Sequence, residues 1–419
     1  MTAGMSQIRK RRATLGLRGR LLGTMAVAAA WSVSFAGAAP SAIAMDVQSK
    51  QWYLEPMHAE EMWKTTTGEG IKVAVIDSGV NSSTPSLEGQ VLKGLDATGT
   101  AGDEYDDYDG HGTTMAELIA GKGAGGGIEG LAPGAKIIPI RITDTELQNN
   151  NSVNAYDTRD AIRFAADSDA QIISMSFSSE FPTQEEEEAV QYAQSKGKLL
   201  FAGVGNDAKR GNKKKYPASY PQVVGVAATD ANGVSSKYSQ HGDNVDIAAP
   251  GDNIPLWCDK KFQSYCDSNG GTSQATAITS AAAALIWSAH PEWTANQVLN
   301  VLFDTAGRGD MEKGTLSNYI GHGIIRPAVN ILKGTGDPGA PDISPLTKEK
   351  TSGSAGSAAP SASASSQLAK KDEADDAAMA GSSTKKDDDS QLGLILGGVA
   401  VVLVLGGGAF ALSRKRRTA

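Results

Sequence analysis

Four polar residues, each set between an apolar run and a glycine-rich turn, have the types needed for acyl transfer in this 419-residue chain. Asp77 leaves an apolar run in VAVIDSGV, and His111 stands between glycines in DGHGTTMAELIAG. Asn206 follows another apolar run in LLFAGVGNDA, and Ser273 opens an alanine-rich stretch in SNGGTSQATAITSAAAALIW. A serine hydroxyl attacks a carbonyl only beside a base, and that base works best when a third group orients it. Each residue also has a plainer role. Asp77 and Asn206 suit turns, a lone histidine is often structural, and Ser273 after Gly270-Gly271 is a good helix cap. Capping and nucleophilic attack are compatible, because a helix start can hold a reactive hydroxyl in place.

Positioning such a set requires a scaffold of strand ends and helix starts. Short apolar runs at 71–76, 136–142, 171–177, 199–204 and 223–228 predict buried strands. Helical stretches at 155–166 and 183–196 lie between them, and Glu185 to Glu188 sit near the start of the second, where the helix dipole favours them. Alternation of this kind predicts an α/β fold of three layers, a mainly parallel sheet with helices on both faces. Ligands in such folds bind at the carboxyl ends of the strands. Asp77 and Asn206 fall at two of those ends.

Both termini carry a different kind of signal. Residues 1–44 combine Arg9, Lys10, Arg11, Arg12, Arg18 and Arg20 with the apolar LLGTMAVAAAWSVSFAGAA and the small Ala42-Ile43-Ala44, the pattern of an export signal. Residues 392–412 are uncharged and, as a helix of about 31 Å, match a hydrocarbon core of about 30 Å. Arg414 to Arg417 follow, which predicts a cytoplasmic tail over 413–419 and a globular part held outside the cell membrane by one helix in the bilayer. Between them, 334–391 is rich in Ser, Ala, Gly, Lys and Asp and reads as a disordered stem. The folded unit is thus expected over 45–333, and Cys258 and Cys266, in an oxidising compartment, are expected to pair. A net charge of −8 gives no basic face for nucleic acid. No cofactor or metal is indicated: two cysteines are too few to make a site, and the acidic loop 102–110, whose oxygens could hold a structural calcium ion, matches no EF-hand spacing and reads instead as solvated.

Taken together, VAVIDSGV, HGTTMA, GLAPGAKIIPIRI, ISMSFS, FAGVGND, YPASYPQVVGVAATD, DIAAPG and GGTSQATA resemble, in order, the segments of the subtilisin family of serine proteases over most of residues 70–290. The chain order Asp, His, Ser is also that of the family. The resemblance implies that Ser273 is the nucleophile, His111 the general base, Asp77 its orienting acid and Asn206 an oxyanion donor. It further implies that Ser174, Met175, Ser176, Phe177 and Ser178, with Ala202, Gly203 and Gly205, wall the substrate cleft. Two positions depart from the pattern: Ala277 stands where proline is common and Ser178 where glycine is common. Lys215 falls near the floor of the primary pocket in relatives. It is either an ammonium that selects Glu or Asp before the cut or one lysine of a solvated basic loop.

The short interval between signal and first strand, the stem and the C-terminal helix are similar to the mycosins, membrane-anchored subtilases of type VII secretion systems. That likeness implies an endopeptidase processing secreted polypeptides at the outer face of the membrane, with a membrane secretion complex as its expected partner. Its alternative is an assembly or scaffold component whose peptidase activity is dispensable.

Overall fold

A computed structural model of the chain describes residues 47–143, 155–258 and 261–351. The expected signal, the stem beyond residue 351, the apolar span at 392–412 and the basic tail lie outside the described residues. Among the described residues no helix is long and apolar enough to cross a membrane.

Seven parallel strands form the central sheet, in the order β2-β3-β1-β4-β5-β6-β7. They are β1 (Lys72–Asp77), β2 (Leu95–Asp96), β3 (Lys136–Arg141), β4 (Ile172–Met175), β5 (Leu199–Gly203), β6 (Val224–Thr229) and β7 (Ile247–Pro250). The five predicted strands are all present, each as an uninterrupted buried run. In β1, Val73 and Val75 join the core on one face while Ala74 and Ile76 join the core on the other. This two-residue alternation, buried on both sides, is what a parallel sheet covered by helices demands.

Helices α1 (Ala59–Trp63), α2 (His111–Ala120), α3 (Ala155–Asp167), α4 (Gln184–Ser195), α5 (Thr272–Ala289), α6 (Ala295–Thr305) and α7 (Pro327–Lys333) complete the layers. Helices α2 and α5 pack on one face, α3 and α4 on the other. Helix α4 starts where its glutamates imply: the Thr183 side chain caps it by accepting from Glu186 N, with Glu185, Glu186 and Glu187 in the first turn. Helix α5 is enclosed on almost every side, Ala281 to Ala284 all being inaccessible to solvent. Small side chains allow that close approach, and enlarging one typically costs about 1–3 kcal/mol. Its buried hydroxyls are satisfied internally, Thr276 donating to Thr272 O at 2.7 Å and Thr279 to Ala275 O at 2.8 Å.

A two-stranded antiparallel hairpin, β8 (Leu256–Trp257) and β9 (Tyr265–Cys266), precedes α5, and the Cys258–Cys266 disulfide closes it. Residues 334–351, assigned by composition to the start of the stem, instead lie along α6. Asn300 Nδ2 donates to Pro338 O at 3.1 Å and Asn296 Nδ2 to Pro341 O at 3.0 Å. Backbone carbonyls caught by asparagine side chains, with Leu346 packed against the core, hold this strip, so its low hydrophobicity was a poor guide to order.

Candidate active site

Strand register brings the expected residues to one end of the sheet. Ile76 of β1 lies opposite Met175 of β4, and Met175 opposite Ala202 of β5. Asp77, Ser176 and Gly203 therefore leave adjacent strands at the same level. Helix α2 begins at His111 with Gly110 as its cap at φ 84°, a left-handed conformation that glycine adopts without strain. Gly112 is needed for a different reason: a Cβ there would sit 2.1 Å from Gly79 O and 3.1 Å from Asp77 Cβ. Only a bare backbone lets the helix come so near β1.

His111 Nδ1 lies 2.7 Å from Asp77 Oδ1. A carboxylate can only accept, so Nδ1 carries a proton directed at Asp77, and in the neutral imidazole Nε2 presents its lone pair outward. Asp77 is 5% exposed and also accepts from Ser78 N at 2.7 Å, while its Oδ2 is buried with no partner among the described residues. Burial alone would lower the His111 pKa. The Asp77 carboxylate, supported by Asp109 and Asp107, outweighs it and raises the imidazole to about 9. The acidic loop is thus not simply solvated. Asp107 is buried and anchors the start of α2, accepting from Ser78 Oγ at 2.9 Å, Gly110 N at 2.8 Å and Thr113 N at 2.9 Å. Among the described residues no cluster of three or more His, Cys, Asp or Glu could hold a metal ion.

Ser273 lies in the first turn of α5, as its glycine-rich approach implies, where backbone N–H groups lack intrahelical acceptors and the dipole favours an anion. Its hydroxyl donates to Ser176 O at 3.4 Å, and Ser176 Oγ donates back to Ser273 O at 3.4 Å. Asn206 Oδ1 accepts from Thr272 N at 2.9 Å and from Thr272 Oγ1 at 3.1 Å. Those two donors fix the amide orientation, leaving Nδ2 as the outward donor beside the Ser273 N–H. Thr272, which sequence reasoning passed over, also accepts from Gly205 N at 3.2 Å through the same hydroxyl. The adjoining motif gave its place but no hint of its role.

Not every expected cleft residue opens to solvent. Ser174, Met175 and Ala202 are buried within the sheet, Met175 and Ala202 in the core of the opposite face from α5. Ser176, Phe177 and Ser178 continue past the end of β4 and are partly or fully exposed. Gly203 meets the start of α5, since a Cβ there would lie 2.8 Å from Thr272 Oγ1. Gly205 adopts φ 107° against the Lys215 side chain.

Lys215 matches neither expectation. It is 8% exposed, so it belongs to no solvated loop, and its ammonium is engaged by Asp207 Oδ2 at 3.1 Å and Glu180 Oε1 at 3.3 Å. Glu180 binds Lys213 as well, at 2.7 Å, and the two lysines hold its carboxyl below the ordinary range. A cation already flanked by two carboxylates has little attraction left for a third.

Known proteins resemble this chain in sequence and fold. A family model described as the subtilase family matches residues 68–323. The chain is 34% identical over 257 residues to the major intracellular serine protease of Bacillus subtilis, covering 59% of this chain and 78% of that protein. It is 33% identical over 284 residues to the minor extracellular protease Epr of the same organism, covering 66% of this chain but only 41% of Epr. Among solved structures, MycP1 from Mycobacterium smegmatis superposes with a TM-score of 0.59 at 27% identity, over 71% of this chain and 88% of that one. The MycP3 protease from the type VII (ESX-3) secretion system gives a TM-score of 0.54 at 28% identity, over 66% of this chain and 87% of that one.

Proposed function

Because this chain belongs to the subtilase family, we propose that it is a serine endopeptidase acting on secreted polypeptides at the outer face of the cell membrane, within a type VII secretion system. The observation that carries the chemistry is the 2.7 Å contact between His111 Nδ1 and Asp77 Oδ1, which orients the ring so that Nε2 of the neutral imidazole serves as the base. Secretion enters through the likeness to MycP1 and MycP3, both described as coming from type VII secretion systems. Anchoring rests on the apolar span 392–412 and the basic residues after it.

In this reading the Ser273 hydroxyl turns from Ser176 O towards His111 Nε2 and attacks the scissile carbonyl as Nε2 takes its proton. Asp77 stabilises the imidazolium without itself becoming protonated. Asn206 Nδ2 and the Ser273 N–H donate to the oxyanion. Collapse expels the amine, protonated by His111, and leaves an acyl group on Ser273; water, deprotonated by the same histidine, then releases it. Ser176 to Ser178 offer backbone donors and acceptors to an extended substrate.

The alternative, an assembly component whose peptidase activity is dispensable, draws on MycP1, described as an essential component of the type VII (ESX-1) secretion system. Secretion by strains carrying Ser273→Ala or a full deletion separates the two, alongside hydrolysis of a peptide library by the purified protein. The proposal expects cleavage by wild type, none by Ser273→Ala, and a secretion defect in both strains. Secretion that survives Ser273→Ala but fails on deletion would establish the scaffold instead.

A further inference from the structure

Catalysis as described leaves a fully buried carboxyl group unused. Glu117 lies on α2, six residues beyond His111, and is 0% exposed. Its carboxylate accepts three hydrogen bonds: from Thr84 Oγ1 at 2.8 Å, Trp257 Nε1 at 3.0 Å and Tyr265 OH at 2.8 Å. Trp257 and Tyr265 belong to opposite strands of the disulfide-closed hairpin, their rings stacked at 3.8 Å. The hairpin grips α2 a second time nearer the histidine. Trp257 N donates to Thr114 Oγ1 at 3.0 Å, and that hydroxyl donates to Gly110 O, the residue before His111, at 2.7 Å.

From Cys266 the chain runs seven residues to Ser273. One side of the hairpin is therefore fastened to the helix that carries the base, and the other leads directly into the helix that carries the nucleophile. An apolar residue at 117 would hold two packed elements together without burying a carboxylate. Three donors converging on one carboxylate add direction, fixing α2 against the hairpin in a single register. Register matters here because the Ser273 hydroxyl bonds to Ser176 O rather than to the imidazole. The separation of base and nucleophile is set by the elements that bear them, and a misplacement of about 1 Å can cost about 10²-fold in rate.

We propose that Glu117 is a positioning residue for the peptidase reaction, locking the hairpin 256–266 to α2 and so setting His111 against Ser273. The inference rests on the peptidase reading above.

Chemistry distinguishes two substitutions. In Glu117→Gln the amide oxygen accepts from Trp257 and Tyr265 while the NH2 donates to the Thr84 hydroxyl, which can turn to accept. Glu117→Leu fills similar space and leaves three buried donors without an acceptor. The test is kcat and KM of the full chain on one fluorogenic peptide, well below each variant's unfolding temperature. Thr294→Ala, which removes the side-chain cap of α6, controls for general destabilisation. Glu117→Leu is expected to lose about 10- to 100-fold in kcat with KM within about threefold. Glu117→Gln should stay within about threefold of wild type, and Thr294→Ala should lose melting temperature but no kcat. Should the leucine variant not fold, Tyr265→Phe and Thr84→Val each remove one donor and should lower kcat at least about threefold. A folded leucine variant with wild-type kcat, a glutamine variant as impaired as leucine, or equal losses in Thr294→Ala would overturn the proposal. So would single-donor variants with unchanged kcat. Failure of the wild type to hydrolyse any peptide is a separate outcome, which removes the peptidase reading and the positioning role with it.

Discussion

Replacing Asp109 by Asn should make the enzyme faster at neutral pH. In the proposed mechanism only neutral His111 accepts the Ser273 proton, so kcat/KM rises with pH and reaches half its plateau at the pKa of the imidazole. That pKa is raised to about 9, because Asp77 at 2.7 Å, with Asp109 and Asp107 behind it, overcomes the opposing effect of burial. At neutral pH the protonated imidazole, which cannot act as the base, therefore predominates. Asp77 cannot be removed without losing the tautomer, and Asp107 anchors the start of α2. Asp109 is half-buried, with no side-chain hydrogen bond among the described residues, so its loss changes charge with little else. One charge acting near the surface contributes about 1 kcal/mol, or about 0.7 of a pKa unit. The midpoint should fall by that amount, raising kcat/KM at pH 7 about fivefold and leaving the alkaline plateau unchanged. The assay is kcat/KM on a fluorogenic peptide from pH 5 to 10 at low and high salt, where screening should shrink the gap between wild type and variant. A midpoint that stays fixed or moves up would show that the loop carboxylate does not govern the base.

Other perturbations probe separate parts of the site. Asn206→Ala should lower kcat about 10²–10³-fold with KM little changed, a magnitude carried over from the equivalent asparagine of subtilisin; steady-state kinetics would expose a loss in KM instead. Peptides with Glu before the cut should be cleaved no better than those with Leu, since Lys215 is neutralised by Asp207 and Glu180. The double change Glu180→Gln with Asp207→Asn should unmask that lysine and shift selectivity towards Glu about tenfold, as read by competing the two peptides. Cys258→Ser with Cys266→Ser removes a crosslink across a separation of eight residues and should cost about 2–3 kcal/mol of stability in urea unfolding.

Strand ends and helix starts were legible because they depend on local pattern. Apolar runs such as LLFAGV and VVGVAA can be buried in only a few ways, and glycines beside Ser273 and His111 mark the turns that present them. Lys215 could not be read in the same manner, because its ammonium is paired with Glu180 and Asp207, which strand pairing and a loop bring to it from 35 and 8 residues away. Asp107 looked like its acidic neighbours, yet it alone turns inward to the hydroxyl of Ser78 and the start of α2. The docked strip 334–351 shows the same limit: its partners, Asn296 and Asn300, are polar side chains on a helix whose apolar face is occupied elsewhere.

Labelling with a fluorophosphonate, followed by mass spectrometry of the modified peptide, tests the central assignment most directly. The purified full chain should carry one adduct, on Ser273, that disappears in Ser273→Ala and is strongly slowed in His111→Ala. A folded wild-type protein that takes up no label, or an adduct undiminished in Ser273→Ala, would contradict it.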